Sequence, residues 1–255
     1  MTELRALAVD VAQEAGALLR ERFGSPARGV AAKSTATDLV SDADRDAEAL
    51  IVRRLRAARP DDAVIGEEGT SRAGSSGLSW YVDPLDGTIN YLYGIPHWCV
   101  TLACADAHGA VAGVVHDPNR GETFVAERSR GAFLGGKRLA VSSESDLGRA
   151  LLATGFGYDA AVRSLQGATV GRILPEVRDL RRFGSAALDL AWLASGRYDA
   201  YFESGINPWD VEAGILLVSE AGGRVTRLDG IADDRRPSVV ASNAALHGAL
   251  LARVR

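Results

Sequence analysis

From Trp80 to Val141 the chain reads as one strand after another: "WYV", "CVTLACA", "AVAGVVH", "ETFVAE", "GAFLGG" and "KRLAV". Turn residues such as Asp117-Pro118-Asn119 separate them,. A meander of this kind makes a sheet, and the apolar face of a sheet has to be buried under another layer. Helical sequence stands before it. In "LRALAVDVAQEAGALLRERF", Leu4, Leu7, Ala8, Val11, Ala15 and Leu18 fall on one helical face, and Gly24-Ser25-Pro26 ends the run,. A second helix is expected from Ser41 to Ala58, capped by Ser41 or Asp42 and stopped at Pro60,. "AVIG" reads as a short strand, and "TSRAGSSGLS" (70–79) as a mobile Gly/Ser loop,.

Strands and helices alternate after the meander. "SAALDLAWLASG" is a helix with a Ser cap and a Gly stop, and "YDAYFE" is a strand. "NPWDVEAGILLVSEAGG" is a helix with Pro208 in its first turn and Gly222-Gly223 at its end,. "SVVASN" and a terminal helix from Ala244 complete the chain. The order implies a layered α+β or mixed α/β protein. The polar "SSESDLG" stretch near Val141–Leu151 suggests a soft division into lobes 1–145 and 146–255 within one domain spanning 1–255.

With 255 residues, 47% of them hydrophobic, the chain can bury a substantial core,. A net charge of −4, with acids and bases mixed, disfavours direct nucleic-acid binding,. The only cysteines, Cys99 and Cys104, lie five apart in an expected strand, point to opposite faces and do not bridge,. Met1–Phe23 has no apolar leader segment. The longest stretch free of Asp, Glu, Lys and Arg, Gly87–Ala105, carries Gly, Pro, Asn, Thr and His97, which disfavours a membrane span,. A reducing, cytoplasmic setting is expected.

Four acidic stretches stand out: "TDLVSDAD" (37–44), "GEE" (66–68), "DPLDGT" (83–88) and "PWD" (208–210). In three of them an acid sits where an apolar element meets a turn or a helix start. Each has a bland reading alone: "DPLDGT" a tight turn, "GEE" a solvated strand end, "PWD" a helix start complementing the macrodipole. Brought together they would repel and take up protons unless a cation joined them. Oxygen donors with no Cys or His nearby select a hard ion, Mg²⁺ before Ca²⁺ or Mn²⁺. Asp83 and Asp86 could grip two ions, helped by the Leu85 carbonyl, while Gly87-Thr88 opens a helix start suited to an anion. Metal ions beside a phosphate seat imply phosphoryl chemistry with water as nucleophile.

In order and separation, "GEE", "WYVDPLDGTINY" and "GINPWDVEAG" closely resemble the inositol monophosphatase family of Mg²⁺-dependent, lithium-sensitive phosphatases. "TDLVSDAD", "RFGSAALDLAWLASGRYDAYFE" and "LLVSEAGGRVT" extend the resemblance over nearly the whole chain. It implies a layered α-β-α-β-α sandwich of the inositol monophosphatase/fructose-1,6-bisphosphatase type, a homodimer, and two or three Mg²⁺ ions, with Mn²⁺ as a substitute and Li⁺ as an inhibitor. By motif position, Glu67, Asp83 and the Leu85 carbonyl hold the first ion and Asp83, Asp86 and Asp210 the second; Glu67 also faces a third. Asp44 and Thr88 orient the attacking water, and Gly87 and Thr88 bind phosphate oxygens. Glu203, Asp210 and Asp86, with the backbone around Gly184, Ser185 and Ala186, face the alcohol, and Lys33 is a loop cation near the metals. The implied substrate is myo-inositol 1-phosphate or a related polyol phosphate. Relatives act on fructose 1,6-bisphosphate, histidinol phosphate, NADP or 3′-phosphoadenosine nucleotides, and some bacterial members contact the transcription machinery.

The remaining expectations are negative ones. His97, His108, His116 and His247 are read as structural or surface residues, Trp209, Tyr91, Tyr93 and Trp98 as packing, and Asp38, Asp42 and Asp46 as cap or rim charges. Thr70–Ser79 and Tyr158–Val170 are expected near the entrance.

Overall fold

The computed structural model describes residues 2–33, 39–231 and 234–255. Asp38, expected as a cap or rim charge, lies outside them. The first helix, α1 (Glu3–Arg22), buries Ala8, Val11, Ala12, Ala15, Gly16 and Leu19. The apolar seam therefore runs through Leu19, and Leu18, expected on the buried face, is only half-buried. A two-stranded ribbon, β1 (Ala31–Ala32) with β2 (Leu39–Val40), leads into α2 (Asp42–Ala58). Ser41 and Asp44 form a reciprocal capping box at its start, an arrangement that stabilises a helix by about 1 kcal/mol.

The large sheet takes β3 (Ala63–Gly66), β4 (Ser71–Arg72), β5 (Ser79–Asp86), β6 (Cys99–Asp106), β7 (Gly109–Asp117), β8 (Glu122–Glu127), β9 (Gly131–Leu134) and β10 (Lys137–Arg138). Its spatial order is β10-β9-β8-β7-β6-β5-β3-β4, so the run from β5 to β10 is the antiparallel meander legible in the sequence. The stretch 70–79 is more tied down than its composition suggests. β4 pairs with β3, and the backbone N–H groups of Ser75 and Ser76 donate to the Asp61 carbonyl. A single turn of helix, α3 (Thr88–Leu92), follows β5.

The second half contributes β11 (Leu151–Thr154), α4 (Ala160–Ile173), β12 (Asp179–Arg181), α5 (Ala186–Ala194), β13 (Ala200–Ser204), α6 (Pro208–Glu220), β14 (Arg224–Leu228), β15 (Ser238–Ser242) and α7 (His247–Val254). The strands form a mixed sheet in the order β12-β11-β13-β15-β14. The terminal helix starts at His247, three residues later than its sequence pattern implies.

Three apolar clusters show how the layers stack. Helices α1 and α2 pack on the outer face of the large sheet through Ala15, Leu19, Ile51, Leu55, Trp80 and Leu102. Its inner face, with Val115 and Phe124, packs on α5 and α6, which also meet Tyr201 and Val239 of the small sheet. The far face of the small sheet is covered by α4 and α7 through Ile173, Leu250 and Val254. The result is five layers, α-β-α-β-α, the mixed α+β architecture that the family resemblance implies. Cys99 sits in the cluster between the sheets and Cys104 in the outer one, so the two free thiols do lie on opposite faces of β6.

Candidate metal centre

The end of β5 differs from its sequence reading. "DPLDGT" is not a turn: β5 continues to Asp86, with a shift in its pairing to β6. Asp83 faces Thr101 and Asp86 faces Cys99, three steps along β5 against two along β6. Pro84, which has no N–H to give a ladder, falls inside this bulge,. The bulge has a chemical consequence. Residues three apart on a regular strand point to opposite faces, but the extra residue restores the parity, and both carboxylates line one pocket. Gly87 then turns the chain at φ 102°, where a Cβ would also lie 3.0 Å from the His97 carbonyl oxygen. Two separate reasons require glycine there.

The pocket encloses about 420 Å³ between the sheets. Glu67, Asp83, Leu85, Asp86, Gly87, Thr88, Gly184, Ser185, Ala186, Glu203, Asp210 and Lys33, all singled out from sequence, line it. Glu67 follows β3, Asp210 lies in the first turn of α6 and Glu203 on β13, so the two sheets and the layer between them all contribute. Asp44 stands behind the wall, fully buried. Its Oδ2 accepts from the Ser41 N–H and hydroxyl, and its Oδ1 lies 3.0 Å from Thr88 Oγ1. The same Thr88 hydroxyl is 3.1 Å from the Leu85 carbonyl oxygen.

Each acid has a different set of partners. Asp83 Oδ1 accepts the Leu85 N–H. Asp86 Oδ2 accepts the Ser185 hydroxyl and the Ala187 N–H, both at 2.7 Å, so the start of α5 is bonded to this carboxylate. Asp210 Oδ2 accepts the Asn207 N–H at 2.7 Å. It is thus a helix-start acid and a pocket acid at once, two readings that sequence alone held apart. Lys33 Nζ lies 2.9 Å from Glu67 and 2.6 Å from Glu68. Glu203 Oε2 accepts the Tyr201 hydroxyl at 2.7 Å, and any side chain at Gly155 would strike the Glu203 carboxylate.

The electrostatics are those of crowded acids. Burial first, then the charges of Glu67, Asp86 and Asp210, raise the Asp83 carboxyl well above its usual range. Burial lifts Asp86 to about 7 against the bonds from Ser185 and Ala187. Asp210 is raised by burial and by Glu67, and Asp44 and Glu203 are raised mainly by burial. Among the described residues no cationic side chain pairs with Asp83, Asp86 or Asp210, and no group of three or more His, Cys, Asp or Glu is arranged so that it could hold a metal ion as it stands. The chemistry of the donor set still suits a hard divalent cation. It is all oxygen, largely buried, and charged beyond what the neighbouring cations offset.

Other expectations meet mixed outcomes. Burial holds His97 down to about 4, so it is neutral near pH 7. His116 and His247 are buried and hydrogen-bonded to hydroxyls, while His108 is exposed. Tyr91 and Trp98 pack in the core as expected. Tyr93 does not: it follows α3 as its C-cap and is 76% exposed. Trp209, expected to be packing, lines the pocket, since its place at the start of α6 sets it beside Asp210. Asp42 and Asp46 are exposed and paired with Arg45 and Arg22. Sequence reasoning passed over Asp189, Arg182 and Arg236, which also line the pocket. Asp189 falls at a helical position where its buried, unpartnered Oδ1 leaves no mark in the sequence.

The family model for the inositol monophosphatase family matches residues 1–255. An inositol-1-monophosphatase of Caulobacter vibrioides is 38% identical, over 97% of this chain and 99% of its own length. The Nus factor SuhB of Escherichia coli is 40% identical, over 98% and 94%. The crystal structure of the extragenic suppressor protein suhB from Bartonella henselae superposes with a TM-score of 0.92 at 37% identity, covering 100% of this chain and 99% of that one. A Thermotoga maritima IMPase gives 0.89 at 33% identity, covering 99% and 97%.

Proposed function

The chain belongs to the inositol monophosphatase family, and from that premise we propose that it is a Mg²⁺-dependent phosphomonoesterase. Its substrate in this reading is myo-inositol 1-phosphate or a related polyol phosphate, hydrolysed to the alcohol and inorganic phosphate by direct attack of water. The observation that carries the proposal is the meeting of Glu67, Asp83, Asp86 and Asp210 in one pocket beside the Thr88–Asp44 hydrogen bond.

Glu67, Asp83, the Leu85 carbonyl, Asp86 and Asp210 hold two or three ions in this reading. Bound there, magnesium supplies positive charge and Lewis acidity that favour ionised water and the leaving alkoxide. The protein's own groups do the rest. The Thr88 hydroxyl, within reach of Asp44 and the Leu85 carbonyl, fixes the direction of the attacking water, and Asp44 receives the proton that Thr88 relays. Gly87 and Thr88 seat the phosphate. Glu203, held by Tyr201, accepts hydrogen bonds from hydroxyls of the alcohol, as does Asp210, alongside the backbone of Gly184, Ser185 and Ala186. Lys33 offsets the charge of Glu67 and Glu68. One domain, with halves 1–145 and 146–255 sharing the cleft, acts as a cytoplasmic homodimer inhibited by Li⁺; the family alone supports these last features. No helix among the described residues is long and apolar enough to cross a membrane.

The test is phosphate release from a panel of esters with Mg²⁺ added or withheld, for the wild type, Asp86→Asn and Asp210→Asn. Metal-dependent release that both variants lose supports the proposal; equal release from all three rejects it. Preference within the panel for fructose 1,6-bisphosphate, histidinol phosphate, NADP or a 3′-phosphoadenosine nucleotide would keep the chemistry and change the substrate. The relatives named Nus factor SuhB favour a second reading, in which the protein also contacts the transcription machinery. Capture of RNA polymerase or its elongation factors by the inactive Asp86→Asn variant would separate that role from catalysis.

A further inference from the structure

Helix α2 carries two buried acids on one face. Asp44 and Glu48 stand four residues apart, about one helical turn, and both are shielded from solvent,. Asp44 meets Thr88 at the pocket. Glu48 is absent from the pocket lining; its carboxylate is taken up by the turn that joins β3 to β4.

Every contact in that turn involves a different donor. Glu48 Oε2 accepts the Glu68 N–H at 2.8 Å, and Oε1 accepts the Thr70 N–H at 3.1 Å and the Thr70 hydroxyl at 2.6 Å. A Cβ on Gly66 would lie 2.4 Å from Glu48 Oε2, so glycine there lets the carboxylate reach the turn. The Gly66 N–H donates to the Thr70 carbonyl at 2.7 Å and closes the turn on itself. Glu67 is thereby pinned from both sides. Its own N–H donates to the Val82 carbonyl of β5 at 3.0 Å, and the next N–H along the chain is the one Glu48 holds. A residue has only two soft backbone dihedrals, so fixing the peptides before and after Glu67 fixes the direction in which its side chain leaves.

We propose that Glu48 is a positioning residue for the metal centre: by gripping the turn at Glu68 and Thr70 it aims Glu67 into the pocket, in register with the Asp44–Thr88 pair. One helix then sets both the acid that orients water and the acid that holds an ion. Glutamine cannot replace Glu48 here, because both carboxylate oxygens accept and an amide would turn an NH₂ group toward an N–H donor. This inference rests on the phosphatase reading above, in which Glu67 is a metal ligand.

The experiment measures Mn²⁺ binding to the metal-free protein, followed by the EPR signal of the free ion, for the wild type, Glu48→Gln, Thr70→Val and Ile51→Ala. Glu48→Gln is expected to weaken Mn²⁺ binding about tenfold, and Thr70→Val, which removes one of the three donors, about threefold. The Mg²⁺ concentration giving half-maximal phosphate release should rise by the same factors, with KM for the ester at saturating Mg²⁺ unchanged. Ile51 lies on the same helix in the outer core cluster, so Ile51→Ala should lower Tm at least as far and leave Mn²⁺ affinity as in the wild type. If Glu48→Gln does not fold, Thr70→Val decides by the same comparison. Wild-type affinity in the variants at 48 and 70, or an equal loss in Ile51→Ala, overturns the positioning role and leaves the phosphatase reading intact. Failure of the wild type to bind Mn²⁺ overturns the metal centre and the positioning role with it.

Discussion

Two sets of buried carboxylates in this protein are treated in opposite ways. Asp62 and Asp234 sit in the fold with an arginine each. Against the upward push of burial, bonds from Arg59 and Trp80 hold the Asp62 carboxyl below its usual range. Arg236, outweighing burial, holds Asp234 down to about 2, with Ser204 also bonded to it. Asp83 is as deeply placed, Asp86 and Asp210 are half-buried beside it on the pocket wall, and all three are raised instead. The chain has arginines to spare, and it keeps them off these three. Asp62 and Asp234, each with an arginine beside it, are structural parts; the three pocket acids are crowded together with no arginine paired to them and are suited to a charge from outside the chain.

The comparison can be broken most directly by neutralising one acid of each kind. Asp86→Asn is expected to lower phosphate release by two to three orders of magnitude, about 3–4 kcal/mol in the barrier. In chelator the same variant should gain about 1 kcal/mol of stability by denaturant titration, because a repelled charge is removed. Asp234→Asn should do the reverse, costing about 3 kcal/mol of stability as it strands Arg236, and leaving kcat within twofold. If both variants lost stability equally, the distinction would fail.

Metal addition sharpens the contrast. Mg²⁺ at a hundredfold excess over its dissociation constant should stabilise the wild type by about 2.7 kcal/mol, read as a rise in Tm, and Asp86→Asn much less. The smallest effect is in acid. The folded Asp234 pKa lies below its unfolded value, so its contribution is complete above about pH 4 and is lost as pH falls toward 2,. Wild type should therefore lose about 1–2 kcal/mol more than Asp234→Asn across that window in chelator-containing denaturant titrations.

Much of this is readable in the sequence, for reasons that differ by element. The helices α2, α5 and α6 carry side-chain caps, α1 ends before Gly24-Ser25-Pro26, and the strands of the meander are separated by turn residues, so local chemistry sets their limits. β11 and β12 are short, and their strand character comes from pairing in the small sheet; β14 stands between Gly222-Gly223 and Asp229-Gly230, so its limits are legible even though its five residues alternate little in burial. α4 has glycines at 167 and 171 and little amphipathic pattern, so nothing in its 14 residues announces a helix. In the pocket, acids at element junctions can be picked out because charge is unusual there. The bulge that turns Asp83 and Asp86 the same way cannot, since it depends on how β5 meets β6. Arg182, Arg236 and Asp189 are ordinary residues in sequence and become notable only through what surrounds them.

The extra residue between Asp83 and Asp86 also sets how this gene can change. Most connections on the surface can gain or lose a residue with little harm. Here, a copying error that shortened the chain by one would leave the strands of the meander free to pair and yet swing one acid into the oily interior. The protein's chemistry is therefore exposed to a kind of mutation its architecture would barely notice, and descendants of this chain should vary the letters around that spot long before they vary its length.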